Sequence, residues 1–112
     1  MTIEKLVPVP TKRETFKHSS LRFVPEAAGC YVLTTFENVV LYIGQALNVR
    51  RRMNDHLDDP RKTELTLDGR AFFFYWLEYD DIGKLERTWL NIHGEHEPRF
   101  PILNSVNSPV SV

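Results

Sequence analysis

Two tyrosines, an arginine, a histidine and a glutamate stand in this chain at spacings that suit chemistry on a phosphodiester. Tyr31 and Tyr42 belong to two β-rich runs, Gly29-Cys30-Tyr31 and Tyr42-Ile43-Gly44. A phenol can orient or deprotonate an attacking water, the more so if a nearby cation lowers its pKa. Arg52 and His56 follow at i and i+4 of a helix-forming segment, one above the other on one face. An arginine fork stabilises the extra negative charge of a pentacovalent phosphoryl state, and a neutral histidine can carry the proton taken from water. Glu86, in Ile-Gly-Lys-Leu-Glu-Arg-Thr-Trp-Leu, flanks an apolar stripe at an angle from which its carboxylate can hold a hard divalent cation. Each residue also has a plain reading: strand tyrosines pack, a basic helix is solvated, and Glu86 pairs with Lys84 or Arg87. The two tyrosines, followed by a glycine and an arginine-bearing helix, tip the balance toward chemistry.

The elements that must position these residues are legible in outline. Cys30–Phe36 and Val39–Ile43 read as a hairpin across Glu37-Asn38, closed by a two-residue or a four-residue loop. Either loop gives a register in which paired positions sum to 75, so Tyr31 faces Gly44 and Tyr42 faces Leu33. Alternation along the strands then puts both tyrosines on one face as diagonal neighbours, provided no bulge intervenes. Leu47 to Leu57 reads as helix, with Asn48 as N-cap, Val49, Met53 and Leu57 as its apolar stripe, and Pro60 as its stop. Asp58 to Gly69 reads as loop with a short turn. Ala71 to Tyr79 is apolar almost without alternation, which predicts a strand covered on both faces by helices. Asp81 caps a helix running to about His93, with Gly94 as its C-cap and an irregular tail from Glu95.

Composition narrows the setting. The chain has 112 residues, 42% of them hydrophobic, enough for one small core. We read a leader at 1–24 packed on the domain, a domain at 25–105 and a tail at 106–112. A formal net charge of -1 excludes a general polyanion binder, so any nucleic-acid contact must be local. That contact maps to Arg50, Arg51, Arg61 and Lys62, with Gly44, whose missing side chain lets a phosphate approach the backbone, and Gln45 beside it. A single cysteine excludes a disulfide framework and a multi-cysteine zinc site, in keeping with a reducing compartment. No signal peptide or membrane span is visible, and the expected location is cytoplasmic, with no membrane partner. The run His93-Gly-Glu-His96-Glu97 lacks the helical spacing of a zinc motif and reads as a polar loop. Cys30, opposite the tyrosines in parity, reads as a small buried hydrophobe.

Taken together, Gly29, Tyr31, Tyr42, Gly44, Arg52, His56, Glu86 and Asn104, the last in Pro101-Ile-Leu-Asn104, resemble the GIY-YIG endonuclease family, in order and over about Val24 to Asn104. The resemblance implies an α+β fold with a small three-stranded, mainly antiparallel sheet flanked by helices. It implies catalysis by Tyr31, Tyr42, Arg52, His56, Glu86 and Asn104, with one Mg²⁺ or Mn²⁺ ion on Glu86. It implies that Tyr31 or Tyr42 serves as base or water-orienting group and that Arg52 stabilises the scissile phosphate. Three positions depart from the family pattern. Cys30 replaces an aliphatic residue. Gln45 stands where some members carry a lysine. The segment before Asn104 is long. The expected function is metal-dependent hydrolysis of DNA, duplex or branched, with specificity supplied by the domain itself, a protein partner or a homodimer. The alternative is a binding module of the same fold without turnover.

Overall fold

A computed structural model describes residues 1–104 of the chain. Four strands form one antiparallel sheet in the order β1-β4-β2-β3: β1 Lys12–Thr15, β2 Gly29–Thr34, β3 Val40–Ala46 and β4 Phe73–Glu78. Helix α1 spans Val49–Leu57, the short α2 Pro60–Thr63, and α3 Ile82–His96. The fold class is α+β as expected, but the sheet has four strands rather than three. The added strand, Lys-Arg-Glu-Thr, pairs with β4 from Lys12↔Trp76 to Thr15↔Phe73. It is an edge strand whose charged side chains suit solvent, so it carries no hydrophobic alternation to betray it.

The hairpin holds the expected register. Pairs run from Gly29↔Ala46 through Tyr31↔Gly44 to Leu33↔Tyr42, and the register shifts only beyond Leu33. The loop is a turn over Thr35–Asn38, with Asn38 N–H donating to the Thr35 carbonyl at 3.0 Å and Asn38 itself at φ 68°. Asparagine tolerates that left-handed conformation better than most residues. Because the irregularity falls outside the tyrosine pairs, the parity inference survives it.

β4 lies between β1 and β2 and buries Phe74, Tyr75 and Trp76, as a strand apolar on both faces should. One face carries Tyr31, Leu33, Tyr42, Phe74 and Trp76 against Val49 and Met53 of α1. The other carries Cys30, Val32, Ile43 and Tyr75 against Leu85 and Trp89 of α3, with Ile3 and Leu6 completing it. Asn48 caps α1 by accepting from Arg51 N–H at 3.0 Å, and Asp59 caps α2 by accepting from Arg61 N–H at 3.0 Å.

α3 does not stop at Gly94; it runs on to His96. A glycine inside a helix costs only about 1 kcal/mol against alanine. The N-terminal residues offset that cost by packing on this helix. Trp89 Nε1 donates to the Pro8 carbonyl at 3.0 Å, and Met1 N donates to Glu97 Oε1 at 2.8 Å, just past the helix end. The polar loop expected from His93 onward is therefore helix as far as His96. The tail at 106–112 lies outside the described residues.

Candidate active site

Tyr31, Tyr42 and His56 form a compact triangle. Ring centroids are 5.9 Å apart for the two tyrosines, 5.4 Å for Tyr31 and His56, and 5.0 Å for Tyr42 and His56. Tyr31 is wholly buried, and Tyr42 keeps 5% of its surface exposed. The Tyr31 hydroxyl lies 2.6 Å from His56 Nε2. With Nε2 bare, the phenol donates to it; with Nε2 protonated, the imidazole donates and the Tyr31 proton is free to turn toward Tyr42.

Gly44 makes this packing possible. A Cβ there would stand 2.5 Å from the Tyr31 hydroxyl and 2.8 Å from Tyr42 Cε1. The missing side chain thus admits the two phenols.

Electrostatics set the protonation of these groups. Burial pushes the Tyr31 hydroxyl well above the usual range, aided by Tyr42 and opposed by Arg52. Tyr42 is also raised, first by burial and then by Glu86, against a hydrogen bond from Tyr31 and the charge of Arg52. No cation wins over desolvation at either phenol, so neither is a resting phenolate. His56 moves down to about 3, through burial first and then the positive charges of Lys62 and Arg52. A neutral imidazole beside a neutral phenol is therefore the resting state.

Arg52 is half-buried beside this triangle, its Nη1 3.6 Å from Asp55 Oδ2. With Arg51, Asn48 and Asp55 it lines a cleft of about 310 Å³. Glu86 arrives from the other side of the sheet. Gln45 shares the face of Cys30, and its Nε2 donates to Glu86 Oε1 at 3.1 Å. Burial raises the Glu86 carboxyl, with Gln45 and Arg87 opposing. Its charge nonetheless acts on both phenols. β3 is an edge strand, so groups from the two faces can meet around it.

Asn104 clasps that same edge. Its Oδ1 accepts from Ile43 N–H at 2.9 Å, and its Nδ2 donates to the Ile43 carbonyl at 2.8 Å. Through these two bonds it ties a loop to the strand.

The residues expected to face nucleic acid divide. Arg51 is exposed on the cleft. Arg50 turns its Nε onto the Val24 carbonyl at 2.6 Å. Arg61 is exposed but folds back on Asp59, with Nη2 3.1 Å from Oδ2. Lys62 is not on the surface at all. Only 1% of it is exposed, and its Nζ sits 5.1 Å from the Tyr42 ring centroid and 3.6 Å from Asp59 Oδ2. Proline-initiated α2 turns this lysine inward, so its site lies behind the tyrosines. A lysine in a polar run carries no sequence signal of burial. Cys30 is buried as expected, its thiol pushed up to about 12 by burial.

Among the described residues no three acidic, histidine or cysteine side chains cluster to hold a metal. One half-buried carboxylate with one oxygen on an amide donor still fits a hard cation that keeps most of its waters. No helix among the described residues is long and apolar enough to cross a membrane.

Comparison with known proteins decides the family: residues 27–97 match the GIY-YIG catalytic domain. The chain belongs to the GIY-YIG family. Among its relatives is UvrABC system protein C of Methanosarcina acetivorans, 31% identical over 88 residues, which cover 74% of this chain and 16% of that protein. The protein of the same name from Mycoplasmoides gallisepticum is 26% identical over 89 residues, covering 79% of this chain and 15% of the relative. The match to these relatives thus spans about one-sixth of their length. The family assignment makes this a nuclease-type domain, with Tyr31, Tyr42, Arg52, His56 and Glu86 all inside the matched residues. Asn104 lies just beyond them.

Proposed function

We propose that this GIY-YIG chain is a metal-dependent endonuclease that hydrolyses DNA phosphodiesters. The observation that carries the reading is the Tyr31–His56 contact at 2.6 Å beside Arg52 and within the field of Glu86. Both phenols are held neutral, so a tyrosine must take a proton from water while giving its own away. His56, neutral at ordinary pH, accepts it. Tyr42, the more exposed phenol, stands nearer the substrate, and Tyr31 links it to the imidazole. Arg52 leaves Asp55 to place its guanidinium on the scissile phosphate, where the added charge of the transition state makes it most valuable. Glu86 would hold one Mg²⁺ or Mn²⁺, which when bound supplies Lewis-acid stabilisation of the phosphate and leaving oxygen.

Arg51 and the cleft it lines offer the backbone contact. With a net charge of only -1, a protein partner or a second copy of this chain supplies the remaining specificity.

The test is cleavage of labelled linear, nicked and branched DNA in Mg²⁺, Mn²⁺ or EDTA, comparing wild type with Glu86→Ala. Metal-dependent products that vanish in the variant support the reading. A folded wild type that binds these DNAs without cutting any of them transfers it to the binding module of the same fold.

A further inference from the structure

The buried Lys62 has no place in the chemistry above, and a lysine is rarely hidden without a reason. Its Nζ lies over the Tyr42 ring, 5.1 Å from the centroid, and that ring lies 5.0 Å from His56 by centroids. Its counter-ion, Asp59, is shared: Oδ2 faces Lys62 Nζ at 3.6 Å and Arg61 Nη2 at 3.1 Å. Asp59 therefore divides its carboxylate between Lys62 and Arg61. Burial of this kind costs several kcal/mol by order of magnitude, which packing of a plain apolar side chain would avoid.

We propose that Lys62 is a positioning residue of this site, a buried cation that adds to burial in keeping His56 unprotonated and so able to take the proton of Tyr31. The proposal rests on the nuclease reading for its purpose but not for its test. The groups facing or acting on His56 are Tyr31 from β2, Tyr42 from β3, Arg52 from α1, Asp59 from the α1–α2 junction and Lys62 from α2. Burial is the first thing that opposes a charged imidazole; among these groups Lys62 and then Arg52 add to it, and Asp59 favours one. Arg52 must turn to substrate, which leaves Lys62 as the fixed member of the pair. Burial behind Tyr42, away from bulk water, strengthens the repulsion. An imidazole protonated at rest could not receive a proton, and the relay would stop.

The experiment is an NMR titration of the His56 ring in the metal-free, DNA-free chain. Lys62→Met keeps the stem and removes the charge; Lys62→Arg keeps the charge. The expected result is a His56 midpoint that rises by at least half a pH unit in Lys62→Met and stays within that margin in Lys62→Arg. If Lys62→Met does not fold, Lys62→Gln, which can still donate to Asp59, carries the same expectation. In a cutting enzyme the acid limb of the rate profile rises with the midpoint. A folded, uncharged variant whose His56 midpoint does not move overturns the proposal and leaves Lys62 as packing against Tyr42. Should wild type cut nothing while the midpoint moves, the nuclease reading fails and the electrostatic role stands.

Discussion

The two faces of the sheet are built on opposite economies. Under α3, Cys30, Val32, Ile43, Leu85 and Trp89 form a mainly apolar core, with His93 of the same helix buried as well, and the indole N–H of Trp89 donates to a carbonyl. Under α1, two phenols, an imidazole and an ammonium are buried together, and all four are displaced from their usual proton affinities. Burying polar groups at this density works against stability unless each is partnered. The difference teaches that the α3 face holds the domain together so that the α1 face can be electrostatically strained.

That contrast can be broken by experiment. The largest effect belongs to Arg52→Ala, which should lower cleavage by about a thousand-fold while leaving the urea midpoint nearly unchanged; a matching loss of stability would make Arg52 a core residue. Trp89→Ala should do the reverse, costing about 3–5 kcal/mol of unfolding free energy in denaturant titration. The cleavage rate per folded molecule should stay near wild type. A smaller effect follows from His56, whose folded pKa of about 3 lies below the unfolded value near 6.5. Below pH 6.5 the unfolded chain takes up a proton that the folded one refuses, so stability falls as the pH drops toward 3, by on the order of a few kcal/mol. In His56→Gln that component should be absent. Parallel stability–pH curves for the two proteins would show that the imidazole is not held neutral.

Much of this was readable from residue order, for physical reasons that differ by element. The tyrosine parity follows from the period of a strand and a short loop, both local, and the register held through Leu33↔Tyr42. Asn48 and Asp81 cap where expected because a cap needs only the next turn of backbone. β1 was hidden because its place depends on pairing with β4, far along the chain at Lys12↔Trp76 to Thr15↔Phe73, not on its own pattern. Gly94 misled because its ending tendency is weak and distant contacts decide. Lys62 misled for a related reason: its burial is imposed by α2 docking on α1, which charge patterning cannot express. The direction of the tyrosine shifts was also out of reach, since desolvation depends on how deeply the hairpin is covered.

Asn104 bears on how faithfully the chain assembles. Its amide offers one acceptor and one donor at the spacing of a strand residue, and it engages both backbone groups of Ile43. If β3 slid by one residue, those groups would point inward to β2 and the amide would find no match; Tyr42 would meanwhile turn to the opposite face. A side chain far along the chain therefore acts as a key that fits only the aligned sheet. Misaligned hairpins, which would bury the wrong ring and silence the chemistry, lack that final latch.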